Sequence, residues 1–197
     1  MGGNLGCIKE YGVIQYDNIK KETQRILFRN PPRPPCASLL EAAKYLEAEE
    51  LLGKRPWKKY IDQALLNLSE FSEFEFIRPF EDKDVLYRTD NQEEIIQHPE
   101  DPRRKKGQPR VFIGPIASAN ILQKDPKARD ELREKFGVKA IEMEASGIAD
   151  ATWNHEVGYL VVRGICDYCD SHKNDDWQQY AAVVAAAYTR ALIESMP

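Results

Sequence analysis

The sequence of 197 residues lacks the features that mark several classes of protein. Its net charge of -4 gives no basic excess that would attract nucleic acid or an anionic membrane surface. No apolar run approaches the roughly 20 residues that span a bilayer, and the N-terminus lacks the basic and apolar regions of a signal peptide. We therefore expect neither a nucleic-acid partner nor a membrane partner.

Cysteine is scarce, and the four residues show no disulfide-framework spacing, which favours free thiols in a reducing cytoplasm. Cys166 and Cys169 with His172 give three ligands at most, whereas a structural zinc site needs four, so we expect no metal and no other cofactor. Internal repeats and low-complexity segments are absent as well. With 42% hydrophobic residues the chain can bury one sizeable core, which predicts a single domain over residues 1–197.

Apolar periodicity predicts strands that alternate with helices. Strands are predicted within 5–17 and at 110–113, 138–144 and 159–165, and helices from the capping box Ser38–Glu41, from Pro56, at 126–136, at 145–153 and after Trp177. Such alternation implies parallel pairing through right-handed crossovers. We therefore predict an α/β fold with a mixed central sheet flanked by helices.

Residues 69–108 lose this periodicity and carry acidic pairs, prolines and alternating charge blocks, which predicts a surface excursion. The basic cluster at 103–106 within it has two interpretations. It could contact a phosphate group, or it could be a solvated loop, and isolated charge runs favour the solvated loop.

The stretch from Tyr159 to Asp176 is the strongest candidate for a site. Its first half is an apolar, β-branched run that resembles a buried strand, and at Gly164 it changes to polar and titratable residues. In open parallel sheets, ligands bind beyond the carboxyl ends of the strands. Cys166, Asp167, Tyr168 and Asp170 are therefore predicted to lie where a ligand is handled.

Glu144 ends the predicted strand 138–144, so two carboxylates are expected at the same edge of the sheet. Paired carboxylates can divide roles, since one can stay ionised to accept hydrogen bonds from sugar hydroxyls while the other, with a raised pKa, donates a proton. Alternatively, Glu144 and Asp167 are helix N-terminal residues that only interact with the helix dipole. The pattern alone leaves both interpretations open.

Three motifs, GPIASAN at 114–120, IEMEASG at 141–147 and RGICDYCDSHKN at 163–174, resemble the nucleoside phosphorylase and nucleosidase superfamily, of the purine and uridine phosphorylase type. The resemblance is greatest to the branch fused to signalling proteins with repeat arrays. It implies a nucleoside phosphorylase-like fold that cleaves the N-glycosidic bond of a purine nucleoside or nucleotide, with phosphate as a possible second substrate. Homo-oligomers are common in this family.

The resemblance also implies roles for individual residues. Asp167 matches the acid that protonates or hydrogen-bonds purine N7, and Glu144 matches the glutamate that holds the ribose hydroxyls. Met143 would pack on the sugar, and Ser118 belongs to the loop beside the base. Cys166, which immediately precedes Asp167, is also expected to bind the substrate.

The sequence departs from the family pattern at three places. Ala119 replaces a usual glycine, which could narrow the site or require another backbone angle, and Cys169 replaces a usual serine or alanine. In the family, an earlier portion with groups for phosphate or water precedes the segment that resembles GVIQYD. We therefore expect a chain that lacks the first strands and has little activity alone. The alternative is a non-catalytic module that binds a nucleoside or serves as an interaction platform.

Overall fold

The computed structural model describes residues 12–23, 25–28, 34–68 and 76–196. Its strands are β1 (Val13–Gln15), β2 (Ile19–Glu22), β3 (Arg25–Phe28), β4 (Leu86–Arg88), β5 (Asn91–Ile96), β6 (Ile116–Ser118) and β7 (Ala140–Glu142). Its α-helices are α1 (Ala37–Leu51), α2 (Lys58–Leu68), α3 (Pro126–Phe136), α4 (Ala145–Asn154) and α5 (Gln178–Glu194). The fold is mixed α/β with a parallel sheet flanked by helices, which confirms the predicted class.

The chain divides into two compact units. The first comprises Met1–Cys36 and Phe112–Val161, and the second comprises Ala37–Val111 and Val162–Pro197. The expectation of a single domain over 1–197 therefore stays a prediction. No helix in the described ranges is long and apolar enough to cross a membrane.

The first unit is organised around a three-stranded parallel sheet in the order β1-β6-β7. Consecutive residues of a strand face opposite sides, and β1 shows this directly. Val13 packs with Ala145 and Ala149 of α4, whereas Ile14 belongs to a second cluster that includes Leu132 and Phe136 of α3. The sheet is thus covered on both faces, and its three carboxyl ends lie at one edge.

Helix α3 begins and ends where the sequence predicts. The Asp125 side chain accepts a hydrogen bond from the Lys127 N–H, Pro126 occupies the first turn, and Gly137 ends the helix in the left-handed region with φ of 68°. The helix predicted at 145–153 is α4, one residue longer. Capping signals and apolar spacing were sufficient for α3, and apolar spacing alone for α4.

In the second unit, α1, α2 and α5 pack around Trp57, which is 1% exposed and meets the Tyr188 ring edge-on with centroids 5.3 Å apart. The expectation that this aromatic belongs to the core is confirmed. The capping box is wrong in detail, because α1 starts at Ala37 and Ser38 already lies inside the helix.

The surface excursion predicted at residues 69–108 contains regular secondary structure. Strands β4 and β5 form an antiparallel hairpin within it, while residues 69–75 lie outside the described residues. The basic cluster pairs with acidic neighbours, at 3.4 Å for both Arg103–Glu47 and Lys106–Glu81. Arg103 and Lys106 are therefore partnered as well as solvated.

Two predicted strands are wrong. Residues 110–113 form no strand, and β6 begins only after Gly114 and Pro115. Residues 159–165 also lie outside any strand. Tyr159 is buried against Val13, Ala145 and Ala149, and its carbonyl accepts the Cys36 N–H, so packing rather than a strand ladder accounts for the apolar pattern. Residues 5–11 of the first predicted strand segment lie outside the described residues.

Candidate active site

The carboxyl edge of the first unit carries the polar groups that the motifs single out. Asp17 follows β1, Asn120 follows β6, and Met143 and Glu144 follow β7. The Asn120 N–H donates to Asp17 Oδ2 at 2.8 Å, which links two neighbouring strand ends. Met143 is 38% exposed and Glu144 is exposed, so both are accessible to a ligand at this edge.

Helix α4 is capped by Glu142 and not by Glu144. The buried Glu142 carboxylate accepts the N–H groups of Glu144 and Ala145 through Oε2, at 2.9 and 2.8 Å. Glu144 occupies the N-cap position without a side-chain capping hydrogen bond. Glu142 therefore caps α4, a role that sequence reasoning missed. Glu144 lies at the N-cap position, so both interpretations of it, ribose recognition and interaction with the helix dipole, stay open.

Ser118 is fully buried, and its hydroxyl oxygen accepts the Ser146 N–H at 3.0 Å. In this conformation its side chain anchors the first turn of α4, so the substrate-binding role suggested for Ser118 stays a prediction. The neighbouring Ala119 needs no unusual backbone, since the described ranges have positive φ at only two non-glycine residues, Glu156 and Cys169. Replacing glycine at this position therefore causes no backbone strain.

The segment around Asp167, residues 166–176, is built from consecutive side-chain turns in the second unit. The carboxylates of Asp167 and Asp170 each accept the N–H two residues later, from Cys169 and His172 respectively, at 2.9 Å. Asn174 accepts the Asp176 N–H in the same way at 3.0 Å. Asx turns of this kind replace strand hydrogen bonds, and we call the segment the Asp167 loop.

The Asp167 side chain is largely buried within this loop. Lys173 Nζ donates to Asp167 Oδ2 at 2.6 Å, and the Cys166 thiol is 3.5 Å from the same oxygen. Burial alone raises the Asp167 pKa, but the hydrogen bonds from Lys173 and the Cys169 N–H outweigh it, so the pKa lies below its usual value. This differs from the raised pKa expected of a proton donor. Burial and the Asp167 charge raise the Cys166 pKa, which keeps that thiol protonated.

Residues 84–96, which we call the hairpin region, include β4 and β5. They contact the Asp167 loop within the second unit. Tyr168 Oη donates to Asp84 Oδ1 at 2.7 Å, and burial followed by this bond raises the Tyr168 pKa, so the phenol stays a donor. The His172 ring stacks on Tyr87 with centroids 3.7 Å apart, and Nε2 donates to the Gln92 carbonyl at 2.9 Å. Sequence reasoning missed these partners because they lie about 80 residues away in the excursion.

The predicted site residues are thus divided between the two units. Ser118, Met143 and Glu144 belong to the first unit, whereas Cys166 and Asp167 belong to the second. Because 159–165 is not a strand, the argument that placed Asp167 at a strand end is wrong, and a common edge for both carboxylates stays a prediction. Among the residues described, no group of three or more His, Cys, Asp or Glu could hold a metal ion.

Comparison with protein families identifies the chain. The model of the phosphorylase superfamily matches residues 61–194, which is more than half of the sequence. The chain belongs to the phosphorylase superfamily. This confirms the family that the three motifs predicted. The match includes β6, β7 and the Asp167 loop, so it covers every predicted site residue of this superfamily member.

Relatives fall into two kinds. A nucleotide-binding leucine-rich repeat (NLR)-like protein of Hyaloscypha variabilis is 38% identical over 193 residues, covering 92% of this chain and 18% of the relative. An ATP nucleosidase, Cap17, of Escherichia coli is 40% identical over 80 residues, covering 40% of this chain and 16% of the relative. A 5'-methylthioadenosine/S-adenosylhomocysteine nucleosidase of Mycobacterium tuberculosis is 27% identical over 90 residues, covering 46% and 35% respectively.

The chain therefore covers between 16% and 35% of the length of these relatives. No solved structure matches it.

Proposed function

We propose that this chain contributes to cleavage of the N-glycosidic bond of a purine nucleoside or nucleotide, as a nucleosidase or phosphorylase. The observation that carries the proposal is Asp167, which lies in the family motif, is only 10% exposed and is held beside a cationic donor. The named substrates of the two nucleosidase relatives all contain adenosine. Adenine compounds are therefore the first substrates to test.

The chemistry of bond cleavage fits the two carboxylates. As the bond between ribose and base breaks, positive charge develops on the ribose and negative charge on the base. Glu144, which is exposed, would hold the ribose hydroxyls and stabilise the positive charge. A hydrogen-bond donor at purine N7, supplied from Asp167, would stabilise the negative charge. Interactions that strengthen as these charges develop lower the barrier selectively.

The remaining site roles belong to the same proposal. Met143, partly exposed beside Glu144, would pack on the sugar, Cys166 would line the base side next to Asp167, and Ser118 would hold the loop near the base. A homo-oligomer and a cytoplasmic location are part of the proposal as well. Phosphate is a second substrate only if the reaction is phosphorolysis.

The experiment is adenine release from adenosine, 5'-methylthioadenosine and ATP, each with and without phosphate. We expect Asp167→Asn to lower turnover by a factor of about 100 to 10,000, the range for removal of a general acid. Asp175→Asn is the matched control, because Asp175 is an exposed acid in the same loop. Equal turnover of the wild type and Asp167→Asn would remove Asp167 from the mechanism.

A non-catalytic module is the second candidate, and the NLR-like relative favours it because that relative matches over almost the whole of this chain. Such a module would bind an adenine nucleoside or nucleotide without cleaving it. Isothermal titration distinguishes the two candidates. Binding of intact ATP with no adenine released after long incubation would support the module and contradict catalysis.

A further inference from the structure

Both oxygens of the Asp167 carboxylate are engaged by donors. Oδ1 accepts the Cys169 N–H at 2.9 Å, and Oδ2 accepts Lys173 Nζ at 2.6 Å with the Cys166 thiol at 3.5 Å. Every one of these partners supplies a hydrogen, so neither oxygen carries a proton in this arrangement. A general acid must carry one. The conformation therefore shows Asp167 as an acceptor, not as the acid that the proposed function requires.

Two opposing effects act on this carboxyl group. Burial favours the protonated form and raises its pKa, whereas the Lys173 hydrogen bond is the largest effect that lowers it. Other titratable or charged groups beside this pair include Cys166, Cys169, which acts on Lys173, and Arg163, which acts on the Cys166 thiol. Without the ammonium group, burial is opposed mainly by the Cys169 N–H. The position of one lysine thus decides which effect prevails.

Lys173 can move more easily than the other partners of Asp167. Its side chain is 26% exposed, compared with 10% for Asp167, and its charge sits on a four-carbon stem with rotatable bonds. The Cys169 N–H, in contrast, is a backbone group fixed by the turn that Asp167 closes. Rotation of Lys173 would break the pair without disturbing this turn.

We propose that Lys173 is a positioning residue that sets the protonation state of Asp167. While paired, it keeps the carboxylate ionised, and when it turns away the buried carboxyl takes up a proton from solvent. This inference rests on the proposed function for its catalytic consequence. There, the Asp167 proton passes to purine N7 while the bonding electrons between C1' and N9 move into the base. Water or a phosphate oxygen forms the new bond at C1'. In hydrolysis the proton that the attacking water loses returns to Asp167, and in phosphorolysis Asp167 is reprotonated from solvent.

The direct test is the pKa of Asp167, measured by ¹³C NMR of the carboxyl carbon during an acid titration, with the resonance assigned from Asp167→Asn. We expect a pKa below the usual 3.8 in the wild type and a clearly higher one in Lys173→Met. Lys173→Arg, which keeps the charge, should stay close to the wild type. Lys83→Met is the control, because it removes a similar but exposed ion pair with Asp176. An unchanged Asp167 pKa in Lys173→Met overturns the proposal.

A second measurement covers the case in which Lys173→Met is too unstable to titrate. Lys173→Gln keeps a hydrogen-bond donor but removes the charge, and its Asp167 pKa should lie between those of the wild type and Lys173→Met. The pH dependence of the free energy of unfolding tests the same proposal independently. The depressed pKa of the wild type adds stability above pH 3.8 that is lost as the pH falls through the folded-state value. Lys173→Gln should show a smaller loss over that range, and an equal loss contradicts the proposal.

Failure of the inference and failure of the proposed function give different results. If no variant releases adenine but the Asp167 pKa rises in Lys173→Met, the function is wrong and Lys173 still controls Asp167. If the wild type is active, the pH dependence of turnover should move upwards in Lys173→Met, because the acid keeps its proton to higher pH. Turnover in the wild type with the same pKa and pH profile in Lys173→Met would overturn the inference alone.

Discussion

The carboxyl edge of the parallel sheet and the Asp167 loop present carboxylates by different means. At the sheet edge, backbone pairing in register, such as Ser118 opposite Glu142, fixes where each strand ends. The Asp167 loop has no strand, and side-chain bonds, an ion pair and a stacked histidine hold it. A site held by a backbone ladder tolerates side-chain changes better than one held by side chains. The loop should therefore be the more sensitive region.

The largest difference in unfolding free energy between the two regions should appear when a glycine in or beside each region is replaced by alanine. A Cβ at Gly164, just before the Asp167 loop, would lie less than 3.0 Å from the backbone Cα, C and O atoms of Ala181 in α5. Backbone cannot move aside as a flexible side chain can. We expect Gly164→Ala to lower the free energy of unfolding by about 1–3 kcal/mol, measured by urea denaturation.

Gly147→Ala provides the matched control for this substitution. Gly147 lies in α4 beside the sheet edge, and a Cβ there meets nothing within 4 Å. Alanine is the better helix former, so this variant should gain up to about 1 kcal/mol. Equal effects at Gly147 and Gly164 would show that close packing against α5 does not constrain the loop.

At the sheet edge, the expected effect concerns ligand choice more than stability. If the exposed Glu144 carboxylate reads the ribose hydroxyls, the wild type should prefer adenosine to 2'-deoxyadenosine by about tenfold, because hydrogen bonds to a charged acceptor contribute about 1.5–3 kcal/mol. Glu144→Gln should shrink that preference in kcat/KM or in Kd. Glu134→Gln, which removes an exposed charge on α3, should leave it unchanged. The same preference in wild type and Glu144→Gln would exclude Glu144 from ribose recognition.

A smaller effect is expected where the hairpin region holds the loop. Tyr168→Phe removes the hydrogen bond to Asp84, whose side chain is 30% exposed, and should cost about 1 kcal/mol of unfolding free energy. Amide hydrogen exchange over 166–174 should become faster while exchange in β6 and β7 stays the same. Tyr45→Phe, at a 55% exposed tyrosine, serves as the control. Unchanged exchange in the loop would mean that the hairpin region does not restrain it.

The same contrast explains how much the sequence could predict. Helices α3 and α4 were predictable because their signals, such as Asp125, Pro126 and Gly137, act within a few residues. The polar groups after β7 followed from strand periodicity. The loop motif identified Asp167, but the partners that shape it could not be derived. Lys173 was visible six residues away, yet nothing local indicates that a lysine turns back onto an aspartate.

The predicted strand at 159–165 failed for a related reason. Burial of Tyr159 produces the same apolar pattern whether the backbone pairs with a strand or, as here, accepts a single bond from Cys36. Periodicity reports burial and not the hydrogen-bond partner. Likewise Glu142 and Glu144 are both carboxylates near a helix start, and only the hydrogen bonds show that Glu142 caps α4.

The smallest expected effect is that of Cys169→Gly, at a position where the loop itself carries backbone strain. Cys169 has φ of 53°, in the left-handed region that glycine adopts without cost, and its N–H donates to Asp167 Oδ1 at 2.9 Å. Replacing it with glycine removes the strain but adds freedom to the unfolded chain, and these effects oppose each other. We expect Cys169→Gly to change the unfolding free energy by less than about 1 kcal/mol, whereas Cys169→Val, β-branched at the same φ, should cost about 1–3 kcal/mol. If Cys169→Val unfolds at the same urea concentration as the wild type, the turn is not held in the left-handed conformation. That result would also weaken the conclusion that the Asp167 loop is more sensitive to substitution than the sheet edge.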